Sequence, residues 1–150
     1  MKKSLTYILH GLLVLVATAF TASADKTGVE SVFGDLVAIQ QALAADSMEH
    51  VAHRATAIAK AAEAHTLHGL PHEAAAQAKA VAQAKDIKSA REAFKKLNVS
   101  FETYLKNHPD KTGTYHVAYC SMAKASWVQT GDTIANPYYG ASMLKCGSFK

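Results

Sequence analysis

Residues 87–105 of this chain have the sequence IKSAREAFKKLNVSFETYL, in which apolar residues recur every three or four positions. That spacing places them on one face of a helix, with lysine, arginine and glutamate on the other faces. Asp86 lies where an N-cap is expected, and Pro109 disfavours helical backbone at His108. The stretch therefore predicts an amphipathic helix whose apolar face must be covered by other elements. That face comprises Ile87, Ala90, Phe94, Leu97, Phe101 and Leu105.

Three further helices are predicted before this one. The first covers residues 27–45, where apolar residues again recur at spacings of three and four. The second begins at Asp46 as N-cap, with Glu49 three residues later, and ends near Gly69. The third covers residues 72–84 and consists mostly of alanine. Four amphipathic helices with short loops pack most simply as an antiparallel four-helix bundle, so the predicted fold is all-α.

The remaining residues, about 109–150, differ in composition from the helices. They are rich in aromatic residues and are interrupted by glycines and by an Asn-Pro pair. Such a segment favours an irregular C-terminal cap with two short strands, held on the bundle by its aromatic side chains. The cap carries both cysteines of the chain and two of its four methionines.

The first 24 residues have the pattern of a secretory signal peptide. Lys2 and Lys3 are followed by an apolar run over residues 12–20 and by Ala-Ser-Ala at residues 22–24. The run is shorter than the roughly 20 apolar residues that span a bilayer. We expect cleavage before Asp25, a single domain over residues 25–150 without a membrane span, and a periplasmic or secreted location.

Charge and motifs exclude several classes of function. Residues 25–150 carry 14 basic residues against 12 acidic ones, which is too balanced a charge to predict nucleic-acid binding. The sequence has no His-Glu-x-x-His, no Cys-x-x-Cys and no glycine-rich phosphate loop. We therefore predict a protein that is not an enzyme.

The sulfur-containing residues of the cap form two short pairs, Cys120-x-Met122 and Met143-x-x-Cys146. If the pairs meet, their thiolates and thioethers form a soft donor set that selects Cu(I), with His116 as an additional candidate ligand. In an oxidising compartment, however, two cysteines favour a disulfide, and the methionines are then core residues. Both interpretations stay open at this point.

Histidines form a second candidate metal site. Two pairs with i, i+3 spacing fall on the predicted second helix, and a fifth histidine follows the Gly-Leu-Pro turn. Each pair could share one divalent ion, although two imidazoles alone bind it weakly, so a solvated polar face is the competing interpretation. These secondary candidates are His50, His53, His65, His68 and His72.

Several stretches resemble the family called domain of unknown function 3347. In the cap they are residues 115–123 (YHVAYCSMA), Trp127, residues 136–140 (NPYYG) and residues 143–147 (MLKCG). In the helical part they are residues 42–46 (ALAAD), residues 90–94 (AREAF) and Leu97-Asn98. Many relatives have Cys-Pro-Met, where this chain has Ser121.

The resemblance implies a connection with copper, since the family also occurs at the C-terminus of some periplasmic adaptors of copper and silver efflux systems. It marks Cys120, Met122, Met143 and Cys146 as matching positions, and it marks a shaping loop at Asn136, Pro137, Tyr138 and Gly140. We therefore predict a periplasmic copper-binding module with an efflux adaptor or another periplasmic protein as partner. The alternative is a disulfide-linked interaction domain associated with such a system.

Overall fold

A computed structural model describes the backbone of residues 20–150 and the side chains of residues 28–110 and 113–150. Four helices come first in the chain: α1 (Phe20–Ala44), α2 (Val51–Glu63), α3 (Ala74–Ala82) and α4 (Ile87–Asn107). A short 3-10 helix then leads into the strands β1 (His116–Cys120), β2 (Ala125–Gln129) and β3 (Ser148–Phe149), and a second 3-10 helix, Gly140–Met143, precedes β3. Residues 1–19 of the predicted signal peptide lie outside the described residues.

The prediction of an all-α fold is wrong, because the C-terminal segment forms a three-stranded antiparallel sheet beside the four helices. The strand order is β2-β1-β3, with Ala118 opposite Trp127 on one side and opposite Phe149 on the other. The β1–β2 turn contains no glycine, proline or asparagine, and Lys124 takes a left-handed conformation with φ 50°. The usual hairpin sequence is therefore missing at this turn.

The prediction for α4 is confirmed. Asp86 caps the helix by accepting a hydrogen bond from the backbone N–H of Ser89, and the Ser89 hydroxyl faces the Asp86 N–H in return. The helix ends at Asn107, before His108 and Pro109. The predicted apolar face is buried almost throughout, with Phe94, Leu97 and Phe101 fully inaccessible to solvent, although Ile87 stays partly exposed.

The predicted start of α2 at Asp46 is wrong, because Asp46 belongs to the end of α1. It has a left-handed φ of 56°, its N–H bonds to the Leu43 carbonyl, and the next N–H, of Ser47, bonds to the Ala42 carbonyl. This is the Schellman arrangement that closes a helix. Its carboxylate bonds to distant residues instead of capping α2, which begins five residues later at Val51.

One hydrophobic core joins the helices to the sheet. Consecutive helices pack on each other, and β2 packs on both α1 and α4. Phe33 of α1 contacts Tyr115, just before β1, with ring centroids 4.6 Å apart, and the indole of Trp127 on β2 is fully buried. The aromatic side chains therefore attach the C-terminal segment to the helices, as the sequence predicts.

A buried amide fixes the position of β2 against α4. Asn98 is 1% exposed and accepts a hydrogen bond of 3.0 Å from the Val128 N–H, while its own amide donates to the Phe94 carbonyl. The outer edge of a sheet normally exposes unpaired backbone groups. Here a side chain of the helix pairs with one of them, which sets the strand in one register against α4.

Within residues 20–150, no helix is both long and apolar enough to cross a membrane.

Candidate functional site: a thiol pair beneath the β1–β2 turn

Cys120 and Cys146 lie next to each other, although 25 residues separate them in the chain. Cys120 is the last residue of β1 and is fully buried, whereas Cys146 precedes β3 and is partly exposed. Both are free thiols, and the Cys146 thiol donates a hydrogen bond to the Cys120 sulfur. The antiparallel pairing of β3 with β1 brings the two residues together.

The surroundings of Cys120 lower the pKa of its thiol. Burial alone raises the pKa of the Cys120 thiol, but four hydrogen bonds to its sulfur outweigh burial and bring the pKa below its usual value. The donors are the Cys146 thiol, the N–H groups of Ala123 and Met122, and the Asn136 side chain. The nitrogen of Ala123 lies 3.4 Å from the sulfur. The same bond, in which Cys146 is the donor, raises the pKa of the Cys146 thiol, as does its desolvation.

Asn136 connects the two cysteine-bearing segments. Its side chain is fully buried, and its amide nitrogen donates to the Cys146 carbonyl at 2.8 Å. Its side-chain oxygen accepts from the Tyr138 N–H at 2.8 Å, and its backbone N–H bonds to the Leu144 carbonyl. Asn136 therefore holds the turn before Cys146 beneath the end of β1.

The loop that carries Asn136 is held in turn by an ion pair between α1 and α4. Arg91 lies 2.6 Å from the Asp46 carboxylate, and its guanidinium also donates to the carbonyls of Leu43 and Pro137, each at 2.7 Å. Asp46 accepts a further bond of 2.9 Å from the Ala141 N–H. This bond first, and the Arg91 guanidinium second, lower the pKa of the Asp46 carboxyl group.

The three stretches 42–46, 90–94 and 136–140, noted separately in the sequence, therefore meet at one place, which we call the Asp46–Arg91 junction. Gly140 is necessary there because it has a φ of 57° and because a Cβ would come within 2.5 Å of the Arg91 guanidinium. Pro137 and Tyr138 of the same loop are also buried.

The two methionines lie in the turns that contain the thiols. The Met122 N–H points at both sulfurs, and the Met143 carbonyl accepts the Cys146 N–H at 3.0 Å. The residue Met122 is 61% exposed, whereas Met143 is partly buried. Met122 is thus no core residue, contrary to the interpretation in which both methionines fill the interior.

His116 is not brought to the thiols. It lies at the opposite end of β1 from Cys120, which at about 3.3 Å per residue is roughly 13 Å away. Its imidazole lies beside Phe149, at 5.3 Å between ring centroids, and 4.0 Å from the Asp132 carboxylate.

The other histidines do not share helix faces as predicted. His50 precedes α2 with a left-handed φ of 59°, while His65 and His68 follow the end of α2. His65 has the left-handed conformation that closes α2, in the same arrangement that Asp46 provides for α1. His53 and His72 are exposed. In the part of the chain that the structure describes, no three His, Cys, Asp or Glu side chains are grouped closely enough to hold a metal ion.

Sequence analysis missed Gln129, which organises the chain before the shaping loop. It is 1% exposed; its side-chain oxygen accepts from the Trp127 indole N–H at 2.8 Å and from the Ala135 N–H at 3.2 Å. Its amide donates to the Thr133 carbonyl at 2.8 Å. A single glutamine at the end of a strand carries no pattern that would reveal this role.

Comparisons with family models, with curated proteins and with solved structures give no match to this chain. The resemblance to domain of unknown function 3347 stays a prediction.

Proposed function

We propose that this protein is a non-catalytic, periplasmic module that binds Cu(I), or a similarly soft metal ion, at Cys120 and Cys146. The observation that carries the proposal is the contact between two free thiols, one of which, Cys120, has a sulfur that already accepts two backbone N–H bonds. Such bonds stabilise a thiolate, which is the form of cysteine that binds metal. The resemblance described above supports the same assignment.

The donor set fits a soft ion better than a hard one. Two thiol sulfurs lie together, and among the residues that the structure describes no His, Asp or Glu side chain joins them in a metal-binding group. Thiolates select Cu(I) and related ions. A third ligand from this chain would be a thioether of Met122 or Met143, since both turns adjoin the thiols. Metal would enter from the side of Cys146 and Met122, because these residues reach solvent and Cys120 does not.

The direct test is a Cu(I) titration of the reduced protein, without oxygen, against a coloured Cu(I) chelator. We expect a one-to-one complex that removes copper from the chelator, and we expect the double variant Cys120→Ser, Cys146→Ser to lose this ability. Unchanged affinity in the double variant would exclude the thiol pair as the binding site.

The contribution of the methionines can be separated with conservative variants. Met122→Leu and Met143→Leu each remove a thioether while keeping an apolar side chain of similar size. Met48→Leu is the matched control, because Met48 is also partly buried against the core but lies in the connection between α1 and α2 and not in either turn that adjoins the thiols. Weaker Cu(I) binding in either test variant but not in the control identifies a thioether ligand.

The alternative function is a disulfide-linked interaction domain, and the contact between the two sulfurs is the observation that favours it. A bond between Cys120 and Cys146 would close a loop of about 25 residues, which stabilises a fold by about 3 kcal/mol in the loop-entropy account. Trapping the thiols with an alkylating agent at the moment of cell lysis, followed by mass spectrometry, distinguishes the two states. A chain recovered only as the disulfide would favour this alternative.

A further inference from the structure

Four large apolar side chains are exposed in the described part of the molecule: Val99 on α4, Tyr119 on β1, Met122 in the β1–β2 turn and Phe149 on β3. Two of them, Val99 and Tyr119, line one hollow of about 260 Å³ between α4 and the sheet. Phe149 is the cross-strand partner of Ala118, so its side chain lies on the face of the sheet opposite to Tyr119 and outside this hollow. An exposed apolar pair in a hollow is a candidate contact surface.

Lysines surround this hollow. Lys95, Lys96 and Lys124 line it, and the ammonium group of Lys150 lies over the Tyr119 ring, 5.6 Å from its centroid. Two of these four lysines form ion pairs within the chain: Lys95 with Glu92 at 2.8 Å, and Lys150 with Glu102. Across residues 28–110 and 113–150, Lys96 and Lys124 have no carboxylate within ion-pair distance. Glu102, which pairs with Lys150, is the one acidic residue that lines the hollow. The hollow therefore has a mainly basic rim, in which Lys96 and Lys124 carry the uncompensated charge, and an apolar floor.

We infer that this hollow is the docking surface for an acidic segment of a partner protein, with an apolar side chain of that segment packed between Val99 and Tyr119. Two unpaired lysines on either side of an apolar floor complement carboxylates that flank an apolar residue. Charged pairs at the rim of such an interface set the rate and specificity of association, and the apolar centre gives most of the affinity.

The hollow adjoins the β1–β2 turn, because Lys124 ends the same four-residue turn that begins after Cys120 and contains Met122. Tyr119 and Cys120 are consecutive strand residues, so the hollow and the Cys120 sulfur lie on opposite faces of β1. The inference goes beyond the proposed function and does not depend on it, because the contacts that carry it involve neither thiol.

The test uses the full chain, reduced and free of metal, and a fluorescent peptide with Leu-Phe at its centre and three glutamates on each side. We expect binding, measured by fluorescence anisotropy, that weakens with increasing salt. The double variant Lys96→Glu, Lys124→Glu should weaken it about 10-fold or more, and Val99→Ser should weaken it several-fold without changing the salt dependence. Absence of binding at low salt, or equal binding by the variants and the parent, would overturn the inference.

The matched control is Lys60→Glu, Lys85→Glu, which makes the same change of charge at two exposed lysines away from the hollow. If this control weakens binding as much as the test variant does, the attraction is general and the inference fails. Vesicles of phosphatidylglycerol and phosphatidylethanolamine in equal parts provide the second comparison. Preference for the vesicles over the peptide, lost in the same variant, would replace the protein partner with a membrane surface.

Peptide binding and Cu(I) binding are tested separately, because the peptide is added to metal-free protein. A Cu(I) titration of the same variants shows whether the thiol pair binds metal. Peptide binding without Cu(I) binding supports the docking surface and rejects the proposed function, whereas Cu(I) binding without peptide binding does the reverse.

Discussion

At the scale of single residues, the Asp46–Arg91 junction depends on a glycine that has no room for a side chain. Gly140 has a left-handed φ of 57°, and a methyl group there would overlap the Asp46 carboxylate and the Arg91 guanidinium. Gly131 also has a positive φ, of 79°, but has open space where a Cβ would be. The two glycines thus separate the cost of backbone strain from the cost of a steric clash.

We predict that Gly140→Ala lowers the free energy of unfolding by about 2–3 kcal/mol, whereas Gly131→Ala lowers it by about 1 kcal/mol. Both variants force alanine into a left-handed conformation, but only Gly140→Ala also displaces the ion pair. Urea unfolding followed by the fluorescence of Trp127 measures the difference. Equal losses in the two variants would mean that displacing the Asp46–Arg91 ion pair does not change the free energy of unfolding.

The ion pair itself predicts an acid dependence of stability. The lowered pKa of Asp46 in the folded chain means that its ionised form stabilises the fold. This stabilisation is present above the ordinary carboxyl pKa of 3.8 and is lost as the pH falls below it, through the lower folded value. Asp46→Asn should therefore be less stable at neutral pH, and its stability should fall less steeply than that of the parent below about pH 4. Parallel curves of thermal midpoint against pH would contradict this.

At the scale of elements, the attachment of β2 to α4 depends on one buried amide. Asn98 reaches the Val128 N–H from α4, so its removal leaves a buried donor without a partner. We predict that Asn98→Ala lowers the free energy of unfolding by about 1–3 kcal/mol, measured by urea denaturation. Asn107→Ala is the control, because Asn107 is exposed at the last residue of the same helix. Because alanine has a higher helix propensity than asparagine, Asn107→Ala should cause no loss. A similar loss in both variants would contradict the assignment of the effect to the bond with β2.

The elements also show what a sequence can predict. Helix α4 follows from local information, since its cap, its apolar face and its terminating proline all lie within or next to the helix. The start of α2 does not follow from local information, because its predicted cap, Asp46, binds Arg91 and Ala141 instead. These partners are 45 and 95 positions further along the chain. The sequence does not predict a three-stranded sheet, because its strands lack the usual local signals. The β1–β2 turn contains no glycine, so nothing indicates the left-handed conformation of Lys124, and β3 has only two residues.

The candidate site was predictable in part. The spacing of the cysteines and methionines identified the segments that meet, and the Asn-Pro-Tyr-Tyr-Gly stretch identified the loop between them. That the thiols touch depends on Asn136 and on Arg91, whose partners are distant in the chain. The separation of His116 from Cys120 follows from the geometry of β1, and the sequence predicts two short strands in the cap without giving their positions.

At the scale of the whole molecule, a metal ion bound at the thiols would stabilise the complete fold. Cys120 ends β1 and Cys146 lies two residues before β3, in a sheet that packs on α1 and α4, so a ligand at both sulfurs joins segments that must separate on unfolding. We predict that Cu(I) at 100 times its dissociation constant raises the free energy of unfolding by about 2.7 kcal/mol. The double variant Cys120→Ser, Cys146→Ser should show no such increase in thermal midpoint.

The Asp46–Arg91 junction also fixes the order in which the molecule can be assembled. It joins residues from the beginning, the middle and the end of the fold, and closing such long loops costs entropy before any contact compensates for it. The helices can form on local contacts, whereas the thiol pair must wait until the C-terminal segment has folded back onto β1. Until then the Cys120 sulfur lacks the Cys146 thiol and the Asn136 side chain as hydrogen-bond donors, so the chain cannot present the paired site before its last strand is in place.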